Sequence, residues 1–463
     1  MRKSSLTRPS PNLSLFSRLT LPILQEKILT EFQLQHLWFE HLLPKNLSAS
    51  DGKSFQIIQT GWWNHESGPD FRDAVIQDET GKMHFGDIEI HLNTSDWKSH
   101  QHQLDPNYHR LILHIALQGS PISIIINGKS IPTIVLSSQL PEPLPQLLLK
   151  LPETNIQPLP LAQPGACPTS FKQMEPSLRH LFLQEAGWHR LHLKSEKLSH
   201  QIQRDGFLQT LWESLAETLG YKENKIPFRY LARLYPISKM KKIPEHERDA
   251  LLFGASGFLP KIETATWLKE NRHYAAKLWH RWWSQQEQNP KIPNEIWRLS
   301  HTRPANHPQR RIAALSLLAE KISEISILFK NQNLKKIKHL LLSLRHSFFS
   351  SHYTLKSKPS SQSLALLGEP RINDIIINLV FPWFLAYGWK EKEIILQLPA
   401  KQKNLVTNLM TQRLFSFSFK PKNALEQQGL LQIFYTFCAG NYCKTCHFPQ
   451  FLENWISQNS NHS

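Results

Sequence analysis

The stretch Gly61-Trp62-Trp63-Asn64-His65-Glu66-Ser67-Gly68-Pro69-Asp70-Phe71, followed after a short apolar segment by Gly86-Asp87-Ile88-Glu89-Ile90-His91, decides how the chain is read. Residues 74–77 read as a short strand, Thr80-Gly81 as a turn, and 83–92 as a longer strand. Side chains alternate along a strand, so Asp87, Glu89 and His91 share one face while Ile88, Ile90 and Leu92 take the other. Pro69 restricts Gly68 and thereby limits how the chain enters at Asp70.

Upstream, residues 31–43 place Leu34, Leu37, Trp38 and Leu42 at helical spacing, and Pro44 stops the helix. His41 on the same face reads as a packed histidine. Residues 55–60 alternate as a strand after the Asp51-Gly52 turn. Downstream, 111–117 and 122–126 read as strands, and Asn127-Gly128 is a hairpin turn leading into 131–136. One helix followed by strands makes residues 29–140 an α/β or α+β domain. Residues 141–170 carry Pro141, Pro143, Pro145, Pro152, Pro158 and Pro160, the chemistry of an extended linker. From residue 171 to 463 the pattern is helical: 178–198, 207–219, 247–253, 264–284, 310–327, 334–349, 373–387 and 424–437. Pro382 should kink or divide the seventh of these. The expected class is α+β, an N-terminal sheet domain followed by a large all-α domain.

The 463 residues carry a formal net charge of +17, which favours nucleic acid as partner, with anionic membrane surfaces second. No apolar run reaches bilayer-spanning length, so a membrane protein is not expected and a cytoplasmic one is. Residues 1–28, basic and Ser-rich at the start, read as a disordered N-terminus. Residues 325–368 contain no acid from Ile325 to Gly368, and Lys335, Lys336, Lys338 and Arg345 are candidates for phosphate contact. A solvated helix face with a loop is the alternative.

Asp70, beside the strand at 74–77, would converge with Glu89 to hold Mg²⁺ or Mn²⁺ through carboxylate oxygens. Such an ion acidifies water and neutralises charge growing on a phosphodiester. The alternative is a solvated polar face on a half-buried sheet. A second cluster follows. Asp96 and His100 lie one helical turn apart, and His100 and His102 share a face only in extended chain. A Zn²⁺ or Mn²⁺ hydrolase built from His91, Asp96, His100, His102 and Asp105 is therefore the enzymatic rival. His114, inside an apolar strand, reads as a satisfied core histidine, and Trp62, Trp63 and Trp97 as packing.

Asp70 after Pro69, a hairpin, and Glu89-Ile90-His91 together resemble the core motif of the PD-(D/E)XK nuclease superfamily. That resemblance implies a restriction-endonuclease-like mixed sheet preceded by a helix, with Asp and Glu binding magnesium and Glu31 or Glu40 as accessory acid. Where the superfamily has a lysine, this chain has His91; either His91 replaces it or Lys98 or Lys82 reaches in. Over nearly its whole length the chain is also similar to a bacterial, Bacteroidetes-type family of unknown function. The matching residues include Gly68-Pro69-Asp70-Phe71, Gly86–His91, Ser95-Asp96-Trp97, His100, His102, Asp105, Tyr108 and the terminal cysteines.

Of the four cysteines, Cys438, Cys443 and Cys446 fall in one short segment and Cys167 stands alone. Three plus one resembles the iron–sulfur staple of certain nucleases, implying a 4Fe-4S cluster; zinc bound by four cysteines, or by three plus His447, is the alternative. The expected function is a divalent-metal-dependent nuclease or nuclease-derived protein acting on DNA or RNA, with Asp70, Glu89 and His91 catalytic. The alternatives are a non-catalytic nucleic-acid-binding scaffold and the zinc hydrolase.

Overall fold

The computed structural model describes residues 16, 29–151, 167–221, 223–259, 267–284, 291–292, 296–300, 302–389, 392–400, 404–415, 419–439, 443 and 446–460. These form two compact units: residues 9–204 with 399–463, and residues 205–398. The all-helical stretch is thus shared between them, its first helix and its last segment belonging to the sheet-bearing unit.

In the sheet-bearing unit, α1 (Glu31–Phe39) opens on a capping box in which Thr30 and Gln33 satisfy each other's backbone N–H groups. It ends earlier than the residue pattern suggests, because His41 adopts φ 59° and turns the chain. The strands are β1 (Asn46–Ser48), β2 (Ser54–Gln59), β3 (Trp62–Trp63), β4 (Phe71–Asp78), β5 (Met83–Asn93), β6 (Leu111–Gln118), β7 (Ile124–Ile126), β8 (Lys129–Ile131) and β9 (Thr133–Val135). Seven form one sheet in the order β1-β2-β4-β5-β6-β9, with β3 beside β4; β7 and β8 form a separate hairpin. The expected strand at 131–136 is split, since Ile131 pairs in that hairpin while Thr133 joins the main sheet. Pairing is antiparallel from β1 to β5 and parallel from β5 to β6 and from β6 to β9. This is the expected mixed sheet.

Two local features aim the site. Parallel β5 and β6 force the connecting chain to run back along the sheet, and that return carries α2 (Asp96–Ser99) and two 3₁₀ turns, His102–Leu104 and Pro106–Tyr108. In β4 the register shifts between Phe71 and Ala74, with Asp73 at φ 55°, a bulge that bends the strand just after Asp70. Ile88, Ile90, Leu113, Ile115 and Phe71 are fully buried beneath.

Residues 144–149 correct the extended linker reading. They form a helix, Leu144–Leu149, because Pro145 falls in the first turn, where a missing N–H costs nothing, and Leu147 is buried. Most of the remaining segment, 152–166, lies outside the described residues. Residues 1–28 do too, except Phe16, whose ring is buried edge-on against Phe451 at 5.1 Å and is core, not disordered tail.

The unit 205–398 is helical throughout its described elements. Residues 310–327 divide at Lys321 into Pro308–Glu320 and Ile322–Lys330. Pro382 is preceded by a π-helical turn, Ile376–Val380, the ladder rearranging where proline offers no N–H. The acid-free segment is tethered from within: Arg310 donates to the carbonyls of Phe349 (2.5 Å), His352 (2.9 Å) and Ala365 (2.7 Å), and Arg311 to Leu366 (2.5 Å). Lys335, Lys336 and Arg345 are exposed, and Lys338 is engaged by Glu369 at 2.7 Å. No helix among the described residues is long and apolar enough to cross a membrane.

Candidate metal centre

Glu89 lies in the middle of β5, 5% exposed, with its carboxylate turned toward the returning segment. Its Oε1 stands 3.5 Å from His91 Nε2 and 3.3 Å from His102 Nε2, and those two nitrogens are 3.3 Å apart. Glu31 Oε1 of α1 is 3.9 Å from His91 Nε2. His100 completes the group: one ring nitrogen from each of His91, His100 and His102 lies within 4.8 Å of the others. Gln101 between the last two adopts φ 59°, and this left-handed turn lets His100 and His102 face one point without extended chain.

Asp70 is clamped to Glu89 reciprocally. The Asp70 N–H donates to Glu89 Oε2 at 3.0 Å, and the Ile90 N–H donates to Asp70 Oδ2 at 2.9 Å. Gln35 of α1 donates to the other oxygen of Asp70 at 2.7 Å, and the Tyr108 hydroxyl to Glu89 Oε1 at 3.4 Å. His91 is oriented from behind. Its Nδ1 is 3.0 Å from His114 Nε2, and His114 Nδ1 is 3.3 Å from Thr133 Oγ1. If each histidine donates from Nδ1 along this line, ending on the threonine oxygen, His91 Nε2 is left as a lone pair facing Glu89.

The electrostatics match a site short of positive charge. Burial, with Glu89 beside it, holds the Asp70 carboxyl well above the ordinary carboxylate range, and burial with Glu31 nearby does the same to Glu89. Burial and the neighbouring imidazoles push His91 down to about 3, and burial takes His114 to about 4, so both are neutral. Neutral imidazoles beside carboxylates are a ligand set awaiting a cation.

The donor spacing provides a test of fit. A tetrahedral ion with bonds near 2.1 Å has donor atoms about 3.4 Å apart. The triangle of Glu89 Oε1, His91 Nε2 and His102 Nε2 has sides of 3.3, 3.3 and 3.5 Å. Those residues fit a metal.

Other expected site residues are occupied elsewhere. Asp87 accepts the Asp73 N–H at 3.0 Å and supports the β4 bulge. Glu40 is buried against Lys197 Nζ at 2.6 Å, so Glu31 rather than Glu40 is the α1 acid at the site. Asp96 accepts the Asn93 N–H at 2.9 Å and Asp105 the Asn107 N–H at 2.9 Å, both holding the returning segment in shape. Lys82 and Lys98 are exposed, Lys82 at the β4–β5 turn. The polar face of β5 is buried rather than solvated: His91 is 1% exposed and Asp87 4%. Gln35, Tyr108 and His114 are contributors that residue spacing alone does not single out. The β5–β6 register, which sets His114 opposite Glu89, is what reveals the last.

A second group, Glu245, Asp249 and His346, also brings three ligand atoms together. There His346 Nδ1 accepts the N–H groups of Phe348 (3.1 Å) and Phe349 (3.2 Å), so its Nε2 carries the proton and donates to Asp249 at 3.0 Å. That histidine is committed to holding chain, not a ligand.

The cysteines also meet. Cys167 and Cys438 belong to one apolar cluster, with Cys446 packed against it, and the thiols of Cys167 and Cys446 hydrogen-bond. Burial pushes Cys438 up to about 12.

No curated protein and no solved structure matches this chain. Residues 31–409 match the family described as "Protein of unknown function (DUF2851)", a span that contains the carboxylate–histidine site from Glu31 to Thr133 and stops short of the three clustered cysteines; the chain belongs to that family.

Proposed function

We propose that this protein is a metal-dependent hydrolase of phosphodiester bonds in nucleic acid, with Glu89, His91 and His102 holding the ion and His100 and Glu31 beside it. The observation that carries the reading is the donor triangle of one carboxylate oxygen and two imidazole nitrogens, with sides of 3.3–3.5 Å. Imidazole donors favour zinc or manganese over magnesium, which takes oxygen ligands and keeps several waters. When bound, such an ion supplies Lewis acidity toward a phosphoryl oxygen and acidifies water.

The chain's own residues supply the rest. Asp70, adjacent to Glu89 and fixed by Gln35 and the Ile90 N–H, takes the proton of the attacking water. Tyr108, whose hydroxyl proton is held more firmly than usual by burial and by Glu89, remains a donor and fixes Glu89. His100, exposed at the rim, gives a proton to the departing oxygen. His114 and Thr133 keep His91 in the tautomer whose Nε2 is a lone pair. A nucleic-acid substrate is supported by the net charge of +17 and by the order helix, antiparallel strands, Asp, Glu, parallel strand, which resembles PD-(D/E)XK nucleases.

The test is cleavage of labelled single- and double-stranded DNA and RNA by zinc- and manganese-loaded protein. Glu89→Gln and His102→Ala should each lower the rate by about a thousandfold or more while leaving the fold intact. Salt-sensitive binding without cleavage, unchanged by Asp70→Ala, would instead establish a nucleic-acid-binding scaffold, a reading favoured by His91 standing where nucleases of that type carry lysine.

A further inference from the structure

Cys167 opens the helix Cys167–Gln173, while Cys438 closes a π-helical turn, Phe434–Cys438, near the other end of the chain. Cys443 and Cys446 follow it. All four are free thiols in the same unit, and Cys167, Cys438 and Cys446 share one apolar cluster with Phe171, Phe415, Phe434 and Phe448. The fourth, Cys443, accepts a hydrogen bond from the Arg413 guanidinium. Arg413 is itself 7% exposed, and its Nη1 has no hydrogen-bond partner among the described residues.

That arginine argues for a ligand. A buried guanidinium is costly unless an anion faces it, and a neutral thiol is a poor acceptor that leaves the charge unbalanced. Thiolates would balance it, yet several thiolates packed together in an apolar core repel one another unless a cation holds them. One arrangement satisfies both demands. We infer that Cys167, Cys438, Cys443 and Cys446 form a four-thiolate site for a thiophilic metal, as a zinc ion or an iron–sulfur cluster, with Arg413 as its counter-charge. Four thiolates around Zn²⁺, or around a 4Fe-4S cluster in its 2+ state, leave a net charge of about −2 for Arg413 to meet. The spacing Cys443-x₂-Cys446 suits adjacent ligands on one centre.

The site also has a mechanical role. It ties the start of Cys167–Gln173 to the segment leading into Phe448–Ser460, whose Phe448, Phe451 and Trp455 are buried in the same cluster. It is separate in ligands and chemistry from the carboxylate–histidine centre and stands or falls independently of it.

The experiment uses full-length Glu89→Gln/His102→Ala protein, which lacks the other centre's ligands, purified without air. Zinc, iron and acid-labile sulfide are quantified, and thiols are titrated with a disulfide reagent before and after adding a chelator. The expected result is one zinc per chain, or iron with matching sulfide and visible absorption, and thiols that react only after metal removal. Either metal supports the site, and the sulfide assay tells the two apart. Cys167→Ser and Cys443→Ser should lose at least about ninety per cent of that metal, and Arg413→Met should speed its release to a chelator. If the cysteine variants fail to fold, the parent protein decides alone. Stable protein with four freely reactive thiols and no stoichiometric metal overturns the inference.

Discussion

Asp70→Asn is expected to stabilise the chelator-treated protein at neutral pH and to destabilise the metal-loaded one. In the metal-free site, burial and Glu89 hold the Asp70 carboxyl well above its ordinary value of 3.8, so the folded group is protonated where the unfolded one is ionised. The sign follows from proton linkage. The group's contribution to stability is complete below the unfolded value and is lost as pH rises through the folded one, here across the neutral range. Each pH step above 3.8 costs about 1.4 kcal/mol, so the loss at pH 7 approaches roughly 4 kcal/mol. Because Asp70 and Glu89 titrate as a pair, about half of that, ~2 kcal/mol, is assigned to Asp70. Asparagine does not titrate, and its carbonyl can still accept the Ile90 N–H while its amide meets Gln35. Urea unfolding of both proteins with chelator, from about pH 4.5 to about pH 8, should show curves that lie close together in acid and diverge by ~2 kcal/mol at neutrality, the variant above. Adding zinc should reverse the order. Parallel curves across that range, or a variant less stable without metal, would refute the reasoning.

Further consequences are accessible to routine assays. His114→Phe removes the acceptor that orients His91 and should weaken zinc binding by about 10–100-fold, with His114→Gln retaining more; competition titration with a chromogenic chelator measures both, and equal affinities would remove His114 from the site. Gly86→Ala would place a methyl group 2.2 Å from the Arg110 carbonyl oxygen and 2.5 Å from Ile112 Cγ2, prying β5 from β6. A loss of roughly 3 kcal/mol in denaturant unfolding is expected, and a neutral effect would contradict that close approach. Arg310→Met should cost about 3–5 kcal/mol and raise amide exchange across residues 349–365, whose carbonyls that guanidinium holds; unchanged exchange there would show the segment to be self-supporting.

The strand carrying Glu89 was legible because its alternation is local: Ile88 and Ile90 are core, and Glu89 and His91 face the other way. What covers that second face was not. A parallel pairing between β5 and β6 depends on contacts across the sheet, and only it brings the 96–108 segment back over the carboxylate. The meeting of His100 and His102 depends on a single left-handed residue, Gln101, a conformation uncommon for a non-glycine residue. Glu40 and Asp87 looked equivalent to Glu31 and Glu89 in residue type and spacing. Their partners, Lys197 and the Asp73 amide, decide otherwise. In the helical stretch, periodicity located most helices, yet basic residues were taken as surface. Arg310, Arg311, Arg371 and Arg413 are buried, so the charge surplus is not all available to a polyanion.

The central claim is that one divalent ion sits among Glu89, His91 and His102. Anomalous-scattering maps from crystals grown with zinc, and separately with manganese, test it most directly. The account predicts a peak about 2.0–2.2 Å from Glu89 Oε1, His91 Nε2 and His102 Nε2, absent in Glu89→Gln crystals. A metal peak at the cysteines alone, with the carboxylate–histidine triangle empty at saturating metal, would contradict it.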